Sequence, residues 1–183
     1  MGLKPSPFGT HSNLFAWLDG RSAVTFLVVL IAGRYAIVYP LGMLQVKLAK
    51  ALPYPVDVTL ETGALATFLL AFLAAPLIET AFECALPYAV LLRWQAERRT
   101  RARYFVLISA GLLTALHLAI HRLSWVLLIP STFVTGFFLA YCYAHFAEKS
   151  QPKAYAWTSL MHALINVAPF CWTLFFTDNI QGD

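Results

Sequence analysis

Ala75-Pro-Leu-Ile-Glu-Thr-Ala-Phe-Glu-Cys84 is the stretch whose reading decides the fold. It lies in a mostly apolar run, residues 62–92, that is broken only by Glu79 and Glu83. A run of that length crosses a hydrocarbon core of about 30 Å with residues left for a bend, and Pro76 and Pro87 are the places for one. A carboxylate in mid-span costs roughly 2.5–3.5 kcal/mol on insertion scales, so an ionisable group there marks a site by default. Glu79 and Glu83, four residues apart, share one helical face. The question is what the rest of the chain brings to that face.

Composition agrees with the membrane reading. The chain has 183 residues, enough for one domain, and is 60% hydrophobic and 12% charged. Soluble domains are about 25% charged. Mean hydropathy is +0.67. The formal net charge of +4 is spread over loops, which excludes a nucleic-acid-binding surface. Cys84, Cys142 and Cys171 all fall in apolar spans without CxxC spacing, so neither a disulfide framework nor a zinc knuckle follows. The expected fold is all-α: a polytopic transmembrane helical bundle of about five spans with a kinked Glu-bearing helix, in one domain over residues 1–183.

The spans follow in order. Residues 13–18 form a short amphipathic turn that puts Leu14, Phe15, Trp17 and Leu18 in the interface. The first span covers residues 22–44 with Arg34 at its middle, and two prolines make residues 51–57 a loop. After the Glu-bearing span, Arg93-Trp-Gln-Ala-Glu-Arg-Arg-Thr-Arg-Ala-Arg103 is a loop with five arginines. The remaining spans cover 104–120, 125–146 and 155–176. The positive-inside rule makes the arginine loop and the N-terminus cytoplasmic and the acidic tail external, with Lys47 and Lys50 against the rule. The expected setting is an integral, multi-pass protein of a prokaryotic cell membrane.

Helical rise then estimates depth. From the inner span ends, Glu79 is roughly 21 Å deep, His117 roughly 20 Å, and His162 and Asn166 roughly 10 and 16 Å. A lone His or Asn in such a helix is usually interhelical glue, worth about 0.6 kcal/mol. Four polar groups from three helices in one layer exceed what packing needs. His121 reads as interfacial, and His11 and His145 as loop-side residues. Cys84 points roughly 140° away from Glu79 at the α-helical period, which disfavours it as a nucleophile.

These residues also carry a resemblance. Pro76-Leu-Ile-Glu79, Leu113-Thr-Ala-Leu-His117, Phe133-Val-Thr-Gly136-Phe-Phe-Leu-Ala-Tyr141 and Trp157-Thr-Ser-Leu-Met-His162-Ala-Leu-Ile-Asn166 resemble the successive motifs of the CPBP family. These are the CAAX-type intramembrane proteases, or Abi proteins. The likeness spans about residues 62–170. It implies that Glu79 activates water beside His117, that His162 and Asn166 stabilise the oxyanion, and that the substrate is a membrane-associated peptide or protein. The family's first motif usually has a second glutamate where Thr80 stands and an arginine where Cys84 stands. Thr80 keeps a hydroxyl, and Glu83 occupies a usually apolar position.

Two further expectations follow from the residues. Arg34, roughly 18 Å deep, and Glu83, roughly 15 Å deep, are placed to pair across helices and leave Glu79 for water, the alternative being that Arg34 snorkels or packs against backbone carbonyls. Hydrolysis by Glu79 and His117 calls for no cofactor, whereas the set Glu79, His117 and His162 could instead hold zinc. A third possibility is a non-catalytic membrane partner or chaperone that keeps the polar core for packing, favoured by Thr80 and Cys84.

Overall fold

A computed structural model describes residues 17–18, 20–51, 69–94, 97–121 and 129–176. Among these residues the structure is all-helical, with no strand. Helix α1 is Ala23–Ala51, α3 is Arg98–His121, α4 is Ile129–Ala147 and α5 is Gln151–Phe176. Helix α2 is the continuous helical run 70–92, in which two π turns, Leu70–Ala74 and Ala81–Ala85, interrupt the α-helical ladder. By length and composition, three of these helices are long and apolar enough to cross a membrane: Ala23–Gln45 of α1, Phe72–Leu92 of α2 and Thr100–Ala119 of α3.

Helix α4 is the centre and packs on all four others. Around it α3 adjoins α2, α2 adjoins α5, and α5 touches α1. The closest approach is between α3 and α4, and glycine sets it. A Cβ built on Gly136 would lie 2.8 Å from the Ala110 Cα and 3.2 Å from the Leu113 Cβ. Only a residue without a side chain lets these backbones meet, as small residues do between membrane helices. Toward the C-terminus of α4, residues 139–146 are all buried. There Phe26 of α1 stacks on His145 at 4.1 Å between ring centroids and meets Phe146 edge-on at 5.4 Å.

His145 therefore belongs to the core, not to a loop, because α4 runs on to Ala147 and carries it inside. Other boundaries move as well. The arginines from Arg98 to Arg103 lie on α3, and Arg93 and Trp94 form the turn after α2. Helix α5 begins at Gln151, one turn earlier than the expected span 155–176. Ser150 caps it, its Oγ accepting from the Lys153 N–H at 3.5 Å. Leu18 is buried against the core, while Trp17 is exposed and lies under the Arg21 guanidinium at 4.3 Å. The rest of the amphipathic turn, the 51–57 loop apart from Ala51, His11 and the acidic tail lie outside the described residues.

The prolines of α2 explain its two π turns. Pro76 and Pro87 each stand at the start of the α segment that follows a π turn. A helical proline lacks a donor and crowds the carbonyl four residues earlier, and a wider turn accommodates both effects.

Polarity runs inside out. Leu73, Leu77, Phe82, Leu86 and Val90 form an exposed apolar stripe along α2, and Val28, Ile37, Leu107 and Leu164 are exposed on α1, α3 and α5. Thr80, Glu83, Ser109, Thr135, Thr158 and His162 are buried.

The glycine crossing gives a direct test. Gly136→Ala forces a backbone contact and should lower thermal stability by about 1–3 kcal/mol. Gly111 on α3 has nothing within 4 Å of its would-be Cβ. Gly111→Ala should be neutral or stabilising by about 0.5–1 kcal/mol in the same detergent melt.

Candidate active site

The bend-prone helix α2 and the late helix α5 meet through a pair of ionisable side chains. His162 Nε2 lies 3.2 Å from Glu79 Oε2, with the histidine side chain 5% exposed and the glutamate 22%. The α segment Ala75–Thr80, bounded by the two π turns, carries Glu79. Two tyrosines fasten the helices that hold the pair. Tyr155 of α5 donates to the Leu77 carbonyl of α2 at 2.9 Å, and Tyr35 of α1 donates to the Ile165 carbonyl of α5 at 2.6 Å.

His162 lies deeper than the roughly 10 Å expected, because α5 starts at Gln151 and not at 155. Counted from Gln151, His162 stands eleven residues in, about 16 Å along the axis, which brings it near the level of Glu79.

Proton positions follow from the partners. An ionised carboxylate only accepts hydrogen bonds, so the contact puts a proton on His162 Nε2 whenever Glu79 is charged. His162 Nδ1 is buried and has no hydrogen-bond partner among the described residues. His117 Nδ1 lies 3.0 Å from the Leu113 carbonyl, one turn back on α3. A carbonyl cannot donate, so Nδ1 carries the proton there and Nε2 is the basic nitrogen. His117 and Arg34 both stand within electrostatic reach of His162. Asn166 lies one turn beyond His162 on α5 and is half-buried.

The expected Arg34–Glu83 pair does not form. Arg34 packs toward α4, where its Nε donates to Thr135 Oγ1 at 3.2 Å, and its guanidinium lies 4.6 Å from the Tyr35 ring centre. Thr135 in turn donates to the Ser131 carbonyl at 2.8 Å. The reason is helix order: α1 packs chiefly on α4, so its arginine meets a hydroxyl of the central helix instead of the carboxyl of α2. Glu83 is 2% exposed and lies within electrostatic reach of Glu79. Its Oε1 and the neighbouring Thr80 Oγ1 are buried without hydrogen-bond partners among the described residues.

Thr80, Glu83 and Cys84, at i, i+3 and i+4, share the buried face of α2. Cys84 joins the apolar core with Cys142, and both are free thiols.

Among the described residues, no three His, Cys, Asp or Glu side chains converge at metal-ligand spacing. The set Glu79, His117 and His162 supplies the Glu79–His162 contact but does not close into a three-ligand cradle. The tyrosines Tyr35 and Tyr155, and Thr135 as the partner of Arg34, were absent from the candidate residues. Their signal was a hydroxyl on an apolar helix, which also occurs at positions with no such duty. Comparisons with protein-family models, with characterised proteins and with solved structures find no match.

The partner of Arg34 can be read by double-mutant cycles in detergent melts. Arg34→Met with Thr135→Val should show a coupling of about 0.5–3 kcal/mol, as residues in contact do. Arg34→Met with Glu83→Gln should add within about 0.5 kcal/mol. The reverse pattern would restore the Arg34–Glu83 pair.

Proposed function

We propose that this chain is a multi-pass membrane protein and an intramembrane endopeptidase of glutamate type, acting on a membrane-associated peptide or protein. The observation that carries the reading is the Glu79–His162 contact at 3.2 Å, between helices far apart in sequence. Two supports stand beside it. The exposed faces of the helices are apolar while polar groups are buried, the arrangement a lipid solvent favours. The groups gathered near the contact, His117 and Asn166, are those that the likeness to the CPBP motifs singles out.

The chemistry follows from the roles these atoms can take. Glu79 accepts a proton from water as the water oxygen attacks the scissile carbonyl carbon. Desolvation makes a carboxylate a better base than it is in water. Negative charge moves from Glu79 to the carbonyl oxygen. The His162 Nε2–H, held by Glu79 at rest, and the Asn166 amide N–H then have a new acceptor, the oxyanion. The proton on Glu79 passes to the departing amine nitrogen as the C–N bond breaks, directly or through His117 Nε2. One carboxyl and one amine result. Thr80 and Glu83 line the buried side of α2 beneath this site, and Arg34 keeps a positive charge near His162.

Membrane peptidomics of cells carrying the native chain or single variants tests the proposal. Glu79→Gln, His117→Ala and His162→Ala should each abolish the processing of at least one membrane peptide while abundance and insertion stay near normal. Asn166→Ala should retain measurable processing, since one oxyanion donor contributes about 2.7–4 kcal/mol. A Glu79→Gln peptide profile identical to the native one would sink the proposal.

A further inference from the structure

Glu83 is a buried ionisable group that the proposed chemistry leaves without a part. It stands four residues after Glu79 on α2, and the two carboxyls lie within electrostatic reach of each other. Their surroundings differ. The Glu79 side chain is partly exposed and meets His162 Nε2, whereas Glu83 is buried. Among the described residues Glu83 forms no ion pair, and its Oε1 has no hydrogen-bond partner. The groups around this turn of α2 bring it no positive charge. Cys84 follows it, and Cys142 and Tyr143 of α4 stand within electrostatic reach of Cys84. Arg34 of α1 is held by Thr135, and the arginines of α3 lie in its first two turns. His117 of α3 binds the Leu113 carbonyl, and on α5 Tyr155 binds the Leu77 carbonyl and His162 faces Glu79.

Thr80 supplies a second, independent observation. It stands three residues before Glu83 on the same face, and its Oγ1 is also buried without a hydrogen-bond partner among the described residues. Two such polar atoms one turn apart are the setting of a buried water, which needs about 2–4 polar partners. Two carboxyls in one apolar site do not both carry a negative charge, because like charges close together repel, so one proton stays between them. Environment decides which carboxyl keeps it. A carboxylate only accepts hydrogen bonds, and His162 Nε2 offers Glu79 a donor that Glu83 lacks.

We propose that Glu83 is a positioning residue for Glu79: the two carboxyls share one proton, held on Glu83, and a buried water on Thr80 links the acid to the Glu79 carboxylate. The Glu83 O–H donates to the water oxygen, and the water donates one hydrogen to Glu79 and the other to Thr80 Oγ1. Glu79 then has one donor in His162 and a second from its own helix, which fixes the carboxylate between them. When Glu79 takes the proton of the attacking water, both carboxyls are neutral and Glu83 has kept its own proton. The positioning role rests on the peptidase reading above. The protonation of Glu83 does not, and it is what the experiment measures.

The test is infrared spectroscopy of the full chain in lipid bilayers at neutral pH, with isotope-labelled glutamate to mark the carboxyl bands. The native chain should show the C=O stretch of a protonated, hydrogen-bonded carboxylic acid. Glu83→Gln should remove this band, and Glu79→Gln should keep it. Thr80→Val should move it to higher frequency, because the acid loses its water. A native chain with no protonated glutamate would overturn the proposal, and that result needs no variant. So would a band that persists in Glu83→Gln or is lost in Glu79→Gln, or one that Thr80→Val leaves in place. None of these outcomes depends on cleavage, so a failure of the peptidase reading in the peptide profiles is distinct from a failure here.

Discussion

The contact between Glu79 and His162 is the constraint on which the rest of the arrangement depends. Both side chains sit on helices whose exposed surfaces are apolar, so neither finds a polar partner by facing outward. Each must find it in the interior, and that requires α2 and α5 to lie side by side at one level. A buried polar group without a partner costs about 1–3 kcal/mol, and more when it is charged. The Tyr155–Leu77 hydrogen bond holds the same two helices in the same register, and Tyr35–Ile165 holds α5 against α1. Gly136 lets α3 approach α4 closely, which carries His117 toward the pair.

Around that contact the interior contains more polar atoms than packing explains. Thr80 Oγ1, Glu83 Oε1 and Ser159 Oγ are buried without hydrogen-bond partners among the described residues. A core selected for stability alone would replace them with methyl groups, since an apolar core avoids the penalty of a half-satisfied network. Thr80 and Glu83 lie on the helix that carries Glu79, and Ser159 on the helix that carries His162. The two π turns belong to the same design. They accommodate Pro76 and Pro87 without ending the helix, whose buried face carries Thr80, Glu83 and Cys84.

Much of this was legible in the sequence, for physical reasons that particular residues make plain. Long apolar runs gave the helices, because a lipid-like surface allows little else. Glu79, His117 and His162 stood out because ionisable groups are costly in such runs. Helix ends were less legible. Lysines near 149–153 read as a loop, yet Ser150 caps α5 there and moves its start by a turn. His145 read as a loop residue because its polarity outweighed its aromatic ring, whereas the ring stacks on Phe26. The partner of Arg34 was misread because depth alone says nothing of helix order around a centre. Thr135 faces α1 and Glu83 does not, which only the packing of α4 reveals. The π turns also escaped notice, since a fixed 3.6-residue period has no place for them.

The most direct measurement of the central claim is the distance between Glu79 and His162 in the chain reconstituted into bilayers. Solid-state NMR with the Glu79 carboxyl carbon and the His162 Nε2 nitrogen labelled reads their dipolar coupling. An N–O separation of 3.2 Å predicts strong dephasing between the two labels, lost in Glu79→Ala. Absence of dephasing in the native chain would mean that α2 and α5 do not share this site in the membrane, and the reading built on it would fall.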